Sequence, residues 1–540
     1  MSRSRTFAAV GRLADMPFIA LLLSAIYPPV FLLSLNWYAL NSEKIAFVLL
    51  TPIVAALALY LCIRLVVWIS FVPLRALVRP AGSIEWESAT SALLIALAIG
   101  VVFFFFMYGT LHELLKGDIL LASCFIVLMS LTVWLAVTRR LRYLSAAFAI
   151  MTVLSFVTWT ESVVAATFEA KAEQRRLIQS PLAGVKFKDK PNIYLIIYDA
   201  YGNSRLYREI FGVDNDAIYQ ELAARGFKLL DTYSNYWGTW DSMMAIFLAN
   251  HHYYDMLVGV FDSRIGRQIM NGTTFNPVLS VLKDNGYKVQ YIERQAYLVI
   301  DQGNLDYAYP AASEPVYSGL WIFNNPLLDG LVAKVSGASP IEEGAMAEVL
   351  FNRLQETLKG NDPWFTYVHF ELPSHGGGPF LRDNRVFEDI YRERTRKANV
   401  HMLETIDRIL EIDSNALIVI AGDHGSYRYG DAWRGASNPN DAFKANGLDS
   451  DAIAVDYFGI MTAIHSRGQC DDLIYETMTP VNLMRVIFSC LSGERELLHG
   501  RVADISIFPG GLITYFDHPS SIYMTVKDGK ILKPWIQIQR

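Results

Sequence analysis

The chain has 540 residues, of which 52% are apolar and only 19% are Asp, Glu, Lys or Arg. Average soluble domains have about 25% charged residues, so this composition excludes a disordered chain, a coiled coil and an ordinary soluble enzyme. Four Cys residues in this length also exclude a disulfide scaffold and a Cys-rich zinc module.

Charge is divided unevenly along the chain. Residues 1–168 carry 11 Lys and Arg against 7 Asp and Glu, a net of +4, whereas the remaining residues carry 36 against 46, a net of −10. An acidic domain repels nucleic acid, so we expect no nucleic-acid partner. A basic, apolar first third is therefore joined to an acidic remainder, and we expect the two parts to lie in different solvents, lipid and water.

Five stretches of the first third are long and apolar enough to cross a bilayer core, which takes about 20 residues per helix. They cover roughly residues 17–40, 45–72, 89–111, 118–138 and 144–168. Pro28 and Pro29 are expected to kink or break the first stretch, and Arg64 is expected to snorkel to the interface. We therefore predict a five-span membrane domain over residues 1–168.

Basic residues indicate how this domain is oriented. Arg residues precede the first span and lie in alternate loops: Arg3, Arg5, Arg12, Arg75, Arg79, Arg139, Arg140 and Arg142. Because positive charge marks cytoplasmic loops, five spans place everything after residue 168 outside the cytoplasm. We expect a multi-pass protein of a bacterial-type plasma membrane with a periplasmic domain. The spans lack the acidic and His clusters of transporters, which favours a membrane anchor.

Beyond the spans, residues 169–190 are charged and predict a juxtamembrane helix that runs into a linker. From Pro191 onwards, apolar β-rich runs alternate with helix-like stretches, and these runs cover residues 192–198, 288–292, 364–370 and 416–421. This alternation predicts an α/β domain over residues 191–540, with a mainly parallel sheet flanked by helices. A second pattern, around Asp528-Gly529, predicts a small C-terminal β hairpin.

Two of the predicted strands end in residues that commonly ligate metals. Asp199 follows the first strand in YLIIYDAYG, and Asp423 and His424 follow another in ALIVIAGDHGS. Active sites of parallel sheets lie beyond the carboxyl ends of the strands, and mixed O and N ligands suit one divalent ion, Mn or Zn in preference to Mg. Gly422 and Gly425 would let the backbone approach closely there. Each motif alone is more often a turn, but together they predict a metal site.

The segment SNYWGTWDSMMAIFLAN offers a nucleophile. Thr239 precedes a run with helix propensity, and the backbone N–H groups at a helix start bind anions. Coordination to the metal would lower the pKa of its hydroxyl for attack on phosphorus. A plain N-cap is the competing interpretation of Thr239, and Ser242 is the alternative hydroxyl. Nearby aromatic residues either hold an ammonium group or pack the loop: Tyr233, Tyr236, Trp237 and Trp240.

These motifs together resemble the alkaline-phosphatase/sulfatase superfamily. They are most similar to its membrane branch of phosphoethanolamine and phosphoglycerol transferases, which includes lipoteichoic acid synthases. The resemblance covers residues 191 to about 490, through PNIYLIIYDAYG, NYWGT and IAGDHGS. It implies that one divalent metal ion is bound by Asp199, Thr239, Asp423 and His424, and that Thr239 is also the nucleophile.

A further segment, VHFELPSHGGGPF, resembles the part of this family whose His contacts the substrate phosphate. His375 matches that His better, so the resemblance implies that His375 is catalytic. His369 lies within an apparent strand and is interpreted as a core histidine. Neither the Thr239 loop nor any Cys has the C/S-x-P-x-R context from which sulfatases make formylglycine, which disfavours sulfate-ester hydrolysis.

The resemblance implies an enzyme that moves phosphoethanolamine or phosphoglycerol from a phospholipid donor to an envelope glycan or lipid acceptor, through a phosphothreonine at Thr239. Two alternatives stay open. One is a membrane-anchored phosphodiesterase or phosphatase with the same site, and the other is a non-catalytic scaffold in envelope polysaccharide assembly. Cys470 and Cys490 either pair in an oxidising compartment or stay as free thiols.

Overall fold

A computed structural model describes residues 17–36, 42–77, 80–115, 118–177, 182–253, 269–270, 272, 276–293, 303–309, 343–374, 384–429, 436–510 and 521–538. The chain divides into two compact units. One is built around residues 1–168, and the other around residues 169–314 and 340–540. Each unit is therefore described by itself.

Five helices make up the described part of the first unit. They are α1 (Pro17–Asn36), α2 (Ser42–Leu77), α3 (Pro80–Leu115), α4 (Asp118–Val137) and α5 (Leu141–Leu177). Each is long and apolar enough to cross a membrane, over Pro17–Ser34, Ile45–Phe71, Ala89–Tyr108, Ile119–Val137 and Leu141–Val164. The expectation of five apolar helices is confirmed.

Three details of these helices refine the expectation. Helix α1 runs through Pro28 and Pro29 without interruption, so the prolines do not break it, and its buried side chains join the hydrophobic cluster of this unit. Arg64 donates a hydrogen bond from Nη1 to Oγ of Ser91 at 3.1 Å, so it joins α2 to α3. Helix α5 continues past residue 168 to Leu177, so the last span and the juxtamembrane helix are one element.

The second unit is built on a seven-stranded sheet. Its strands are β1 (Ile193–Tyr198), β2 (Lys228–Tyr233), β3 (Lys288–Glu293), β4 (Tyr307–Tyr309), β5 (Trp364–Phe370), β6 (Leu417–Gly422) and β7 (Gly459–His465). Their order across the sheet is β2-β7-β6-β1-β5-β3-β4. Strand β1 is parallel to β5 and β6, and β3 is parallel to β5 and β4. Strand β7 is antiparallel to both of its neighbours, so the predicted mainly parallel sheet is confirmed with one reversed strand.

Helices cover both faces of this sheet. They are α6 (Ser204–Phe211), α7 (Asp216–Ala224), α8 (Thr239–Leu248), α9 (Pro277–Asp284), α10 (Glu343–Thr357), α11 (Asn384–Ile412), α12 (Pro439–Ala445), α13 (Ser450–Phe458) and α14 (Leu483–Ser492). Alternate residues of β1 enter opposite hydrophobic cores, with Leu195 in one and Ile196 in the other. Burial on both faces explains why this strand is a continuous apolar run in the sequence.

A smaller antiparallel sheet follows, formed by β8 (Ile505–Gly510), β9 (Ser521–Lys527) and β10 (Lys530–Ile538). Asp528 and Gly529 link β9 to β10 with φ of 47° and 74°, the left-handed conformation that a two-residue hairpin turn requires. The predicted hairpin is confirmed, and β8 adds a third strand. A bridge between Tyr236 and Ile507 ties this sheet to the segment before Thr239.

The two cysteines of the second unit form a disulfide. Cys470 and Cys490 are joined across 20 positions of sequence, and the bond ties the segment after β7 to helix α14. The sequence left open whether these residues pair or stay as free thiols, and the structure shows that they pair. Cys62 and Cys124 are free thiols in α2 and α4.

Candidate metal centre and nucleophile

Three neighbouring strands carry the candidate site at one edge of the sheet. Because β1, β5 and β6 are parallel and adjacent, their carboxyl ends meet at that edge. Asp199 directly follows β1, and Asp423 and His424 directly follow β6. The sheet topology therefore brings together residues that lie far apart in the sequence.

Asp199, Asp423 and His424 form a buried group that could hold a metal ion. One ligand atom from each residue lies within 4.8 Å of the other two. Nε2 of His424 lies 3.4 Å from Oδ1 of Asp199 and 3.4 Å from Oδ2 of Asp423. Two carboxylates and one imidazole offer the mixed O and N donors that suit a divalent ion such as Zn or Mn. The structure thus places three of the predicted ligands side by side.

The hydrogen bonds of Asp423 fit a metal ligand. Its Oδ1 accepts from the backbone N–H groups of Ala200 and His424, at 2.9 Å in both cases. Its Oδ2 is buried and accepts no hydrogen bond from the residues that the structure describes. A buried carboxylate oxygen without a donor is costly unless a cation approaches it, so this residue fits the divalent ion.

The tautomer of His424 is also the one expected of a metal ligand. Its Nδ1 lies 2.8 Å from the carbonyl oxygen of Gly425. Since a carbonyl oxygen can only accept, this bond places the ring proton on Nδ1. The lone pair of Nε2 then faces the two carboxylates, and the hydrogen bond at Nδ1 orients the ring as it does in metal-ligating histidines.

Gly422 and Gly425 flank the ligands where other chain segments come close. A Cβ at Gly425 would lie 1.9 Å from the carbonyl oxygen of Asp456, and one at Gly422 would lie 2.2 Å from that of Tyr201. The close approach expected at these glycines is present. It brings neighbouring backbone, rather than a ligand, against the motif.

Thr239 lies beside the ligand group. It is the first residue of α8, while Gly238 occupies the N-cap position, so Thr239 is not the helix cap. Its Oγ1 lies 3.1 Å from Nε2 of His424. Ser242, the alternative hydroxyl, is buried and donates to the carbonyl oxygen of Tyr236 at 3.0 Å. Of these two hydroxyls, Thr239 is the one at the candidate metal centre.

The aromatic residues around Thr239 pack the loop. All four are at most 7% exposed: Tyr233, Tyr236, Trp237 and Trp240. The hydroxyl of Tyr236 accepts from the backbone N–H groups of His252 and Tyr253 at 2.9 Å, and its ring stacks on that of His252 with centroids 3.9 Å apart. Their burial favours the packing interpretation over the binding of an ammonium group.

The structure describes one of the two histidines in the VHFELPSHGGGPF segment. His375 lies outside the described residues. His369 lies near the end of β5, and its Nε2 is 3.9 Å from Oδ2 of Asp423. Within the described part of the chain, this buried Nε2 has no hydrogen-bond partner, while Nδ1 lies 3.2 Å from the hydroxyl of Tyr367. His369 therefore faces the ligand group and is not a satisfied core residue, as its place near a strand end indicates.

Negative charge is concentrated around this edge of the sheet. Burial raises the pKa of Tyr367 well above its ordinary value, and the nearby carboxylates of Glu293, Asp423 and Asp199 raise it further. A divalent cation at the ligand group would offset this charge.

A family model described as Sulfatase matches residues 191–493, a segment that includes Asp199, Thr239, Asp423 and His424. No curated protein sequence matches the chain significantly.

Several solved structures share a distant likeness. The C-terminal periplasmic domain of EcEptC from Escherichia coli, in complex with Zn, is 13% identical with a TM-score of 0.40, and the match covers 60% of this chain and 92% of that one. The lipoteichoic acid synthase LtaP from Listeria monocytogenes is 14% identical with a TM-score of 0.37, over 66% and 92%. The PsFucS1 sulfatase from Pseudoalteromonas sp. is 13% identical with a TM-score of 0.34, over 68% and 77%.

Proposed function

Because the chain belongs to the sulfatase family of enzymes, we propose that it is a metal-dependent transferase that moves phosphoethanolamine or phosphoglycerol from a phospholipid to an envelope glycan or lipid. The family match confirms the resemblance at the level of the sulfatase family. The observation that carries the proposal is the 3.1 Å distance between Oγ1 of Thr239 and Nε2 of His424. This distance places the hydroxyl of Thr239, the proposed nucleophile, next to a histidine of the candidate ligand group.

Asp199, Asp423 and His424 would hold one divalent ion, and Thr239 lies close enough to join them. Carboxylate and imidazole ligands favour Mn or Zn, with Mg possible. When bound, such an ion supplies Lewis-acid chemistry that lowers the pKa of the Thr239 hydroxyl and offsets phosphoryl charge.

In the first step, Oγ1 of Thr239 attacks the phosphorus of the donor lipid. The bond between Oγ1 and phosphorus forms as the bond between phosphorus and the diacylglycerol oxygen breaks, and the threonine proton ends on that oxygen. Thr239 stands at the start of α8, where backbone N–H groups favour an anion. His375 is proposed to stabilise charge on the phosphoryl group.

In the second step, an acceptor hydroxyl attacks the phosphothreonine. The new bond to phosphorus forms as the Thr239 ester breaks, and the acceptor proton returns to Oγ1. Two successive exchanges on one residue predict ping-pong kinetics.

The side chains near the site favour phosphoryl transfer over sulfate-ester hydrolysis. A formylglycine nucleophile is made from Cys or Ser, yet Thr is the hydroxyl beside His424. All four cysteines lie elsewhere, two in the disulfide and two in the apolar helices. Thr keeps its hydroxyl and forms a phosphate ester instead.

We also propose that residues 191–540 form the catalytic domain outside the cytoplasm, joined to the span domain through residues 169–190. The Cys470–Cys490 disulfide supports this location because disulfides persist in oxidising compartments. Between α4 and α5, the guanidinium of Arg140 lies 5.8 Å from the ring centre of Trp134. Basic and aromatic residues at one end of two spans fit a cytoplasmic interface.

The test uses full-length protein in detergent with headgroup-labelled phosphatidylethanolamine or phosphatidylglycerol. We expect diacylglycerol release and a label on Thr239 that mass spectrometry locates. Thr239→Ala should lower the rate by roughly a thousandfold or more. Ser242→Ala, on the same helix, is the matched control and should keep most of the activity.

Four outcomes would contradict the proposal. If neither lipid yields diacylglycerol, or if Thr239→Ala matches the wild type, the transferase mechanism fails. If the label passes only to water in the presence of envelope extract, the enzyme is a hydrolase. Wild-type protein that binds no divalent ion would favour the scaffold.

A further inference from the structure

The loop after the Asp423–His424 motif covers one face of the ligand histidine. The ring of Tyr427 stacks on the imidazole of His424, with centroids 4.5 Å apart and planes 11° apart. A ligating imidazole needs a fixed plane as well as a fixed tautomer for its lone pair to reach the metal. The bond from Nδ1 to Gly425 fixes the tautomer, and this stack restrains the plane.

The Tyr427 ring is itself held by aromatic neighbours. Its centroid lies 5.8 Å from that of Trp237 and 5.0 Å from that of Tyr457. A Cβ at Gly238 would lie 4.0 Å from its hydroxyl oxygen. Since Trp237 and Gly238 directly precede Thr239, Tyr427 joins the ligand loop to the nucleophile loop.

The backbone at Tyr427 is strained, with φ of 60°. The left-handed conformation is unfavourable for a residue other than glycine. The buried carboxylate of Asp456 accepts from the hydroxyl of Ser426, and from the backbone N–H groups of Arg428 and Tyr429 at 3.0 Å. These bonds lie on both sides of Tyr427 and hold the strained turn in place.

We propose that Tyr427 is a positioning residue for the metal centre. Its ring, and not its hydroxyl, holds His424 in the plane in which Nε2 faces Thr239 and the two carboxylates. This inference rests on the metal-binding part of the proposed function and does not require phosphoryl transfer. Outer partners of metal ligands typically contribute 10–100-fold in affinity, so we expect loss of this ring to weaken metal binding about tenfold.

The test titrates Zn²⁺, and separately Mn²⁺, into metal-stripped full-length protein and measures dissociation constants by calorimetry. Tyr427→Phe keeps the ring and should bind within about twofold of the wild type. Tyr427→Leu should bind about tenfold more weakly. Tyr427→Asn should lose as much, although Asn tolerates a positive φ well, which separates loss of the ring from backbone strain. If Tyr427→Leu does not fold, Tyr427→Asn still tests the loss of the ring.

Tyr429→Leu is the matched control, because the N–H of Tyr429 donates to Asp456 while its ring lies against Arg428 and not His424. It should bind metal like the wild type. The proposal is overturned if Tyr427→Asn retains wild-type affinity, if Tyr427→Phe loses as much as Tyr427→Asn, or if Tyr429→Leu loses as much. Metal affinity is measured without lipid, so this result can be interpreted even if the transferase assay fails. The transferase assay can likewise be interpreted even if the titration contradicts the role of Tyr427.

Discussion

Oδ2 of Asp423 and Nε2 of His369 lie 3.9 Å apart, and neither atom has a hydrogen-bond partner among the described residues. Both atoms are buried where three parallel strands end. Such an arrangement is stabilised when a cation completes it. It therefore gives the candidate site a property that can be measured apart from catalysis, namely the binding of a metal ion.

Asp423→Asn should abolish metal binding while the domain stays folded. The amide oxygen of Asn can still accept from the N–H groups of Ala200 and His424, as Oδ1 does now. The charge that would face the ion is lost. Elemental analysis should find the metal in wild-type protein and not in the variant, and added metal should raise the melting temperature of the wild type alone.

Asp413→Asn is the matched control for this prediction. Asp413 is also a buried carboxylate, but it lies before β6 and accepts hydrogen bonds from Asn192 and Tyr194. It should change stability and leave metal content intact. Equal loss of metal in both variants would contradict the assignment of Asp423 as a ligand.

Gly425→Ala should displace the ligand loop. The new Cβ would lie 1.9 Å from the carbonyl oxygen of Asp456, and backbone atoms cannot yield as a flexible side chain would. We expect a loss of about 2 kcal/mol or more in the free energy of unfolding and weaker metal binding. Urea unfolding and calorimetry measure the two effects.

Gly344→Ala provides the comparison, because no atom lies within 4 Å of a Cβ there. Gly344 is in α10, where Ala has the higher helix propensity, so this variant should be unchanged or up to about 1 kcal/mol more stable. If Gly425→Ala behaves like Gly344→Ala, the close contact at the ligand loop is not rigid.

Loss of the Cys470–Cys490 disulfide should destabilise the second unit. A closed loop of 20 positions corresponds to about 3 kcal/mol in the chain-entropy treatment. Urea unfolding with and without dithiothreitol should differ for the wild type and coincide for Cys490→Ser. A wild-type midpoint that does not respond to the reductant would contradict this expectation.

Stability should fall as the pH drops below neutral, partly through His401. Burial lowers the pKa of His401 to about 4, whereas an unfolded His titrates near 6.5. Between these values the unfolded chain binds more protons, so the free energy of unfolding decreases as the pH falls from 6.5 to 4. The slope from one such group is at most about 1.4 kcal/mol per pH unit.

The comparison of wild type with His401→Gln isolates this contribution. Other groups titrate in the same range, since burial raises the pKa of Asp456 to about 6, and its effect has the opposite sign. Urea unfolding at pH 7, 6 and 5 should show a gap between the two proteins that changes with pH. Parallel curves would show that His401 does not titrate in this window.

The sequence predicted that Asp199, Asp423 and His424 would meet, because each follows an apolar strand and parallel strands end at one edge. His369 was harder to interpret, because a histidine inside an apolar run resembles a core residue until the strand end is located. Tyr427 has no sequence signature, since its positive φ depends on Asp456, nearly thirty positions later. The reversed strand β7 was also hidden, because an apolar strand has the same pattern in either direction.

The neighbouring positions of β1 and β6 in the sheet have a consequence for the order of synthesis. Ala200 and Asp423 are hydrogen-bonded although 223 positions separate them. A growing chain therefore carries Asp199 and Thr239 long before Asp423 and His424 exist. Until β6 takes its place beside β1, the candidate nucleophile has no ligand partner. Under the proposed function, the incomplete chain is therefore inactive towards phospholipids.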